Sequence, residues 1–466
     1  MLFLGEKCSL GWKIIEHCNG KVLKENSLAK IIIDENTKTY VLSQIPKLKE
    51  FDEMLLVESL ESYRLLGLGQ SKLSPLEFLK TFLTKKRVKK TKQEIEELYY
   101  VLSRAISNNG PIEDLLKDPD LEEIAVIGEK NPVMVYHKDF GWLKTNLFFT
   151  NEEQIRTLTN SMASHTGKRI TTQNPKIDAE LIDGSRMNAC IKPIAKSGAC
   201  ITIRKFMHSK FDLQEIGKSN TASFEMLAFL WMAIQSDCSI LICGNTGSGK
   251  TTLLNALLYF IPKSERIILV EDTPEIKLIH EHSVRLCTSI NVNMHQLIEN
   301  TMRMRPDRVI IGEIRTKEEV HAFIDSALAG QGKGCFATFH AKSSEESISR
   351  FSNYGVMQED ISSIDLIITQ KRRSIFQKNV FLEQRKLEEI AETNGKEINV
   401  LYFWDQNENK FKRKNNSKRV IKKILATFSL SEEAFLQELK SRAEFLKNAS
   451  FSNNVLEELG SYASKF

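Results

Sequence analysis

The chain has 466 residues, 41% of them hydrophobic and 27% charged, and a net charge of +5. That length exceeds what one hydrophobic core serves, so two or three domains are expected, and the composition excludes a disordered or integral membrane chain. No uninterrupted apolar run approaches the ~20 residues that a bilayer span needs. Met1-Leu2-Phe3-Leu4-Gly5 meets Glu6 and Lys7 too soon for a secretory signal, so the expected location is cytoplasmic.

Eight cysteines, at 8, 18, 190, 200, 238, 243, 287 and 335, form no Cys-x-x-Cys pair and read as reduced, buried thiols. His280-Glu281-His282 reads as a solvated strand edge rather than a metal site. Two basic clusters carry much of the excess charge, one from Lys85 to Lys92 and one from Lys410 to Lys423. Solvated linkers, an acidic partner, an anionic lipid surface and nucleic acid are all open readings of them.

Residues 1–92 mix strand-like runs such as Ile31-Ile32-Ile33 with helical stretches and carry no motif tied to chemistry, so they are taken as an accessory region. Residues 93–207 read as an α+β domain. Gln93 to Leu102 has helical apolar spacing, Glu123 to Ile127 and Val133 to Tyr136 are short strands, and Glu152 to Thr166 is a second helix. Asp183-Gly184 supplies hairpin chemistry between two further strands. A polar linker is expected over 208–222. From 223 to 400 apolar strands at 239–243, 266–271, 308–311 and 335–339 alternate with helical patterns, which predicts an α/β domain with a mainly parallel sheet. A basic tail, 401–466, ends in a helix from Ser431 to Lys447.

The strand at 239–243 runs directly into Gly244-Asn245-Thr246-Gly247-Ser248-Gly249-Lys250-Thr251-Thr252, a complete phosphate loop opening a helix. Consecutive backbone N–H groups of such a loop converge on polyphosphate oxygens at a helix N-terminus, Lys250 adds a mobile cation for the β- and γ-phosphates, and the Thr251 hydroxyl suits Mg²⁺. The expected ligands are therefore ATP and Mg²⁺. Three further strand ends carry polar groups: Glu271-Asp272-Thr273-Pro274-Glu275, Gly312-Glu313-Ile314-Arg315, and Thr338-Phe339-His340-Ala341. In open α/β sheets ligands bind beyond the carboxyl ends of strands, so these groups are expected to face the phosphate loop. Phosphoryl transfer is mostly positioning and charge neutralisation, and a strand-end carboxylate such as Glu313, with Glu271 and Glu275, can orient water or hold Mg²⁺ together with Thr251. At such a strand end His340 reads as functional.

These four motifs, in this order, resemble the secretion-type traffic ATPases: the type II and type IV secretion, type IV pilus and archaellum motors. The resemblance covers roughly residues 93–400. It implies a P-loop NTPase domain with a RecA-like sheet behind an α+β domain, with 271–275 as the acidic box, Gly312-Glu313 as an atypical Walker B and His340 as the His box. It also implies that Asp178 to Asn188 and Ile201 to Phe206 form the nucleotide-facing segment of the N-terminal domain, with Arg186 and Arg204 reaching the phosphates. A homohexameric ring, peripheral at the cytosolic face of the membrane, and a polytopic membrane platform protein as partner follow from the same resemblance. Two departures stand out. Residues 329–334 read Ala-Gly-Gln-Gly-Lys-Gly where many bacterial members carry Thr-Gly-His, and a tetracysteine zinc module is absent. Both point to the archaeal-type and conjugation-like branches. The alternatives are a nucleic-acid-translocating motor that uses the basic clusters as a track, and a non-enzymatic nucleotide-gated assembly factor.

Overall fold

Two sheets organise the chain, each within one of two compact units, Met1–Ser209 and Lys210–Phe466. The computed structural model describes residues 12–14, 20–34, 37–43, 46, 48–67, 74–206, 213–289, 291–329, 332–377, 380–414, 417–449 and 455–463.

In the first unit β1 (Trp12–Ile14), β2 (Lys21–Glu25), β3 (Ala29–Asp34) and β4 (Thr37–Leu42) come from the stretch in which the sequence shows no chemical motif. They share a sheet with β5 (Leu121–Ile127), β6 (Pro132–His137), β7 (Gly141–Phe149), β8 (Lys176–Glu180), β9 (Arg186–Cys190) and β10 (Cys200–Arg204). The order is β2-β3-β4-β7-β6-β5-β10-β9-β8, with β1 also on β7. Neighbours are antiparallel except β4 and β7. Helices Glu50–Gly67, Pro75–Lys85 and Lys92–Ile106 supply part of its core. Capping boxes start the last two: Ser74 with Glu77, and Thr91 with Glu94, satisfy backbone N–H groups that would otherwise lack partners. The helix expected over 152–166 ends at Met162; Ser164–Thr166 tightens into a 3-10 turn, closed by Gly167 at φ 70°. Along β8 to β10 exposed and buried residues alternate, so one face of these strands is open.

The second unit is built on β11 (Ile240–Gly244), β12 (Ile267–Glu271), β13 (Ser283–Cys287), β14 (Arg308–Ile314), β15 (Cys335–Phe339), β16 (Leu366–Gln377), β17 (Val380–Thr393), β18 (Ile398–Asp405) and β19 (Lys410–Arg413). Their order is β13-β12-β14-β15-β11-β16-β17-β18-β19. Pairing is parallel from β13 to β16 and antiparallel from β16 onward. β11, β12 and β15 are buried along their whole length, as a parallel sheet covered on both faces requires. Of the stretch 208–222, residues 208–212 lie outside the described residues, and Leu213–Lys218 is a short helix that buries Leu213 and Ile216. Residues beyond 400 also enter this unit. β18 and β19 extend its sheet, and Glu432–Asn448 packs on Phe224–Gln235, where Met226 to Ile234 are all buried. The guanidinium of fully buried Arg442 stacks 4.4 Å from the Trp231 ring centroid while its Nε donates to Glu438 at 2.6 Å.

Candidate functional site

β11 lies at the middle of the second sheet, and its carboxyl end turns through the phosphate loop into the helix Lys250–Leu258. Gly247 and Gly249 have φ of +71° and +91°, a region that side chains other than glycine adopt poorly, so the loop's tight curl depends on them. Lys250 folds back inside the curl, with Nζ donating to the carbonyls of Gly244 at 3.1 Å and Asn245 at 3.3 Å. Ser248 Oγ is buried beside it without a hydrogen-bond partner. An anion-sized cradle with an inward ammonium and an orphaned hydroxyl fits a polyphosphate.

The strand order then lays the other motifs out along one edge. Next to β11 is β15, which leads into His340; next to β15 is β14, which carries Glu313; beyond β14 is β12, which ends in Glu271. His340 Nε2 lies 2.8 Å from Glu313 Oε1, and Arg315 Nε donates to Glu313 Oε2 at 2.7 Å. Arg315 also donates to Asp272 at 3.1 Å, linking the acidic box to Glu313. Thr251 Oγ1 donates to Glu275 Oε2 at 3.4 Å. Thr251, Glu275, Glu313 and His340 therefore occupy one edge with Lys250. Thr251 hydroxyl and the Glu313 and Glu275 carboxylates are hard oxygen donors of the kind that Mg²⁺ takes.

Glu271 is placed differently. It is buried, and its Oε1 accepts the backbone N–H groups of Glu275 and Ile276 at 2.8 Å each, while Arg285 lies 3.3 Å from Oε2. It thereby holds the acidic loop in shape. Burial drives its carboxyl above the ordinary range, against those backbone bonds and the Arg285 charge. At Glu313 burial pushes the same way, but Arg315 first, then His340 and Lys250, overcome it and hold the carboxyl below its usual range. His340 is held below the ordinary imidazole value by burial and by the Lys250 charge, with Glu313 opposing.

Asn245 and Thr246 lie exposed on the outer turn of the loop, and Thr252 is exposed on the first turn of the helix. Arg186 and Arg204 belong to the first unit, where they are Cα partners on the half-open face of β9 and β10. Gly330 and Gln331, within the stretch that departs from Thr-Gly-His, lie outside the described residues. His280 is corrected: it is buried, with Nε2 3.0 Å from the Ile261 carbonyl, because the chain ahead of β13 packs inward, whereas His282 beside it is exposed. Among the described residues no group of three or more His, Cys, Asp or Glu is arranged to hold a metal by itself. Sequence reasoning passed over Arg315, although it ends the quoted Gly312 motif, and the arginines of β16 and β17. The run Lys371-Arg372-Arg373 was the available signal for the latter.

A family model described as "Type II/IV secretion system protein" matches residues 106–404. This chain belongs to that family. A Methanocaldococcus jannaschii protein of uncharacterised function is 31% identical over 376 residues, which span 78% of this chain and 68% of that one. Protein VirB11 of Agrobacterium fabrum is 29% identical over 300 residues, covering 56% of this chain and 85% of its own length. Among solved structures, the Legionella pneumophila ATPase DotB aligns at 19% identity with a TM-score of 0.41, over 74% of this chain and 93% of that one. Among the described residues of this type II/IV secretion protein no helix is long and apolar enough to cross a membrane.

Proposed function

We propose that this chain is a Mg²⁺-dependent ATP hydrolase that works as a homohexameric ring, driving assembly of a type IV pilus-like or archaellum-like filament or a related type II/IV secretion machine. The observation that carries the reading is the alignment of Lys250, His340, Glu313 and Thr251 with Glu275 along one sheet edge around the phosphate loop. In this reading the loop N–H groups and Lys250 bind the β- and γ-phosphates, and Glu313 orients the attacking water. Thr251 and Glu313 would hold Mg²⁺, which would supply neutralisation of phosphate charge. His340, whose Nε2 lies 2.8 Å from Glu313 Oε1, couples the γ-phosphate to strand β15. Arg186 and Arg204 provide guanidinium groups for phosphate charge across a nucleotide-dependent domain or subunit interface, with closure about the segment near 208–222.

The partner in this reading is a polytopic membrane platform reached from the cytosolic face. The basic clusters are weaker contributors than their composition suggests. Lys86, Lys90 and Lys92 pair with Glu58, Asp52 and Glu96, and Lys412, Arg419 and Lys423 pair with Asp405 and Asp365. Charges held this way are not available as a continuous track for lipid or nucleic acid.

The deciding experiment is ATP binding and phosphate release by the full chain with and without Mg²⁺, alongside Lys250→Ala. Binding and Mg²⁺-dependent turnover by the wild type, both lost in the variant, are expected. A wild-type chain that binds no nucleotide would end the reading.

A further inference from the structure

The second sheet continues past the phosphate loop on the side away from His340. β16 pairs with β11 up to Gly244 and Gln370, then extends beyond it as one arm of the β16–β17 hairpin. Arg372 on β16 and Arg385 on β17 are direct Cα partners, so their side chains leave the same face. Both approach the glycines of the loop. Arg385 Nε donates to the Gly247 carbonyl at 3.1 Å, and a Cβ placed on Gly247 would lie 2.7 Å from Arg372 Nη1. The Arg372 backbone N–H donates to Asn245 Oδ1 at 3.3 Å. Gln370 comes equally close: its Nε2 is 3.0 Å from where a Gly249 Cβ would stand, and its buried Oε1 has no hydrogen-bond partner.

Like charges directly opposite each other on neighbouring strands are destabilising. Beside them on this hairpin, Lys371 lies 2.6 Å from Glu388, which Arg373 also engages. Arg372 itself lies 3.5 Å from Glu383, whose Oε1 accepts from Ser374 at 2.6 Å. Two guanidinium groups thus stand against a loop that itself presents Lys250 and a helix N-terminus.

We infer that Arg372 and Arg385 form a second cationic wall of the nucleotide site, binding the phosphate chain from within the same subunit that supplies the phosphate loop. The inference rests on the nucleotide reading above and adds phosphate-binding residues to it. Planar guanidinium forks suit phosphate oxygens, and an anion between the two arginines removes their mutual repulsion. The site then takes cations from two sides: Lys250 from inside the loop and the hairpin pair from above it.

The test uses the full chain with inorganic pyrophosphate and ATP as probes, measuring affinity by calorimetry and Tm with and without pyrophosphate. Arg372→Gln and Arg385→Gln are each expected to weaken pyrophosphate binding about tenfold, the scale of a lost hydrogen bond to a charged group. KM for ATP should rise by a similar factor. The Tm without anion should hold or rise, since a like-charge contact is removed, and the anion-induced gain in Tm should shrink. Lysine at either position should restore part of the affinity. Pyrophosphate affinity equal to wild type in both glutamine variants overturns the assignment. So does a drop in anion-free Tm that accounts for the lost affinity, because that marks a purely structural role. If the wild type binds neither probe, the nucleotide reading itself has failed and takes this one with it. Loss of binding in Lys250→Ala with undiminished binding in the arginine variants rejects the second wall alone.

Discussion

The two sheets display their chemistry in different places. β8, β9 and β10 of the first unit alternate exposed and buried residues, so a whole face is open along their length, with Arg186 at the start of β9 and Arg204 at the end of β10. β11, β12 and β15 of the second are buried from end to end, so polar groups have nowhere to stand but the strand ends. That constraint gathers Lys250, His340, Glu313 and the acidic box on one edge. The arginines of the two sheets also differ in company. Across the first sheet the register runs Glu180, Arg186, Arg204, Glu123, each acid opposite an arginine. Across the hairpin of the second, Arg372 faces Arg385. The first pair stands in a row flanked by acids, the second beside the glycines of the phosphate loop.

The largest expected effect lies at the opposite edge of the second sheet. Arg308 begins β14 fully buried, with Nε donating to Glu265 at 2.7 Å and its guanidinium 5.7 Å from the Phe336 ring centroid. Arg308→Ala leaves the buried Glu265 carboxylate short of its main partner and should cost roughly 3–5 kcal/mol, read as a shift in urea unfolding. A shift under about 1 kcal/mol would mean that this edge is wetter than the structure shows.

On the functional edge, Glu313→Gln should slow ATP turnover by about 10²–10³-fold, the usual loss when one positioned catalytic group is removed, with nucleotide binding largely intact. Single-turnover hydrolysis beside a binding isotherm separates the two. Unchanged turnover would detach the strand-end carboxylate from the chemistry and leave the edge a binding site.

Alanine at Arg186 or Arg204 should slow hydrolysis by roughly tenfold while weakening nucleotide binding less, the pattern of a group engaged mainly as charge develops. If binding falls and turnover of the bound nucleotide does not, these arginines contribute ground-state affinity instead, and the open face has a different use from the buried sheet's edge.

Much of the second sheet was legible because burial on both faces writes continuous apolar runs: Ile240-Leu241-Ile242-Cys243 and Cys335-Phe336-Ala337-Thr338-Phe339 show as strands without any alignment. The edge motifs were legible because each follows such a run. Contacts of Glu271 were not, since no pattern distinguishes a carboxylate that points at a ligand from one that turns inward to accept Glu275 and Ile276 N–H groups. The hairpin arginines were hidden for a related reason. Lys371-Arg372-Arg373 looks like a solvated charge run until register places Arg372 opposite Arg385, thirteen residues on. Residues 12–42 show the same blindness to long-range pairing, because it is β1 and β4 on β7 that join them to the first sheet.

The smallest and most local effect is the protonation of His340. Its Nε2 lies 2.8 Å from Glu313 Oε1. Burial and the Lys250 charge favour the neutral form, Arg315 and Arg350 act in the same direction, and Glu313 alone among these groups pulls the other way; the balance lies below the ordinary imidazole value. A histidine whose folded-state value is depressed contributes stability that is fully present above its unfolded value near 6.5 and is lost as pH falls through the folded value. With 41% of the side chain exposed, solvent screening keeps that contribution small. The sharper reading is spectroscopic. In a histidine-labelled NMR titration of the nucleotide-free chain, His340 should titrate below 6.5. Glu313→Gln, by removing the attracting charge, should lower the midpoint further, and Lys250→Ala should raise it. A midpoint that rises in Glu313→Gln would show that the ring and the carboxylate do not face each other in solution, and would break the link between β14 and β15 on which the coupling role of His340 depends.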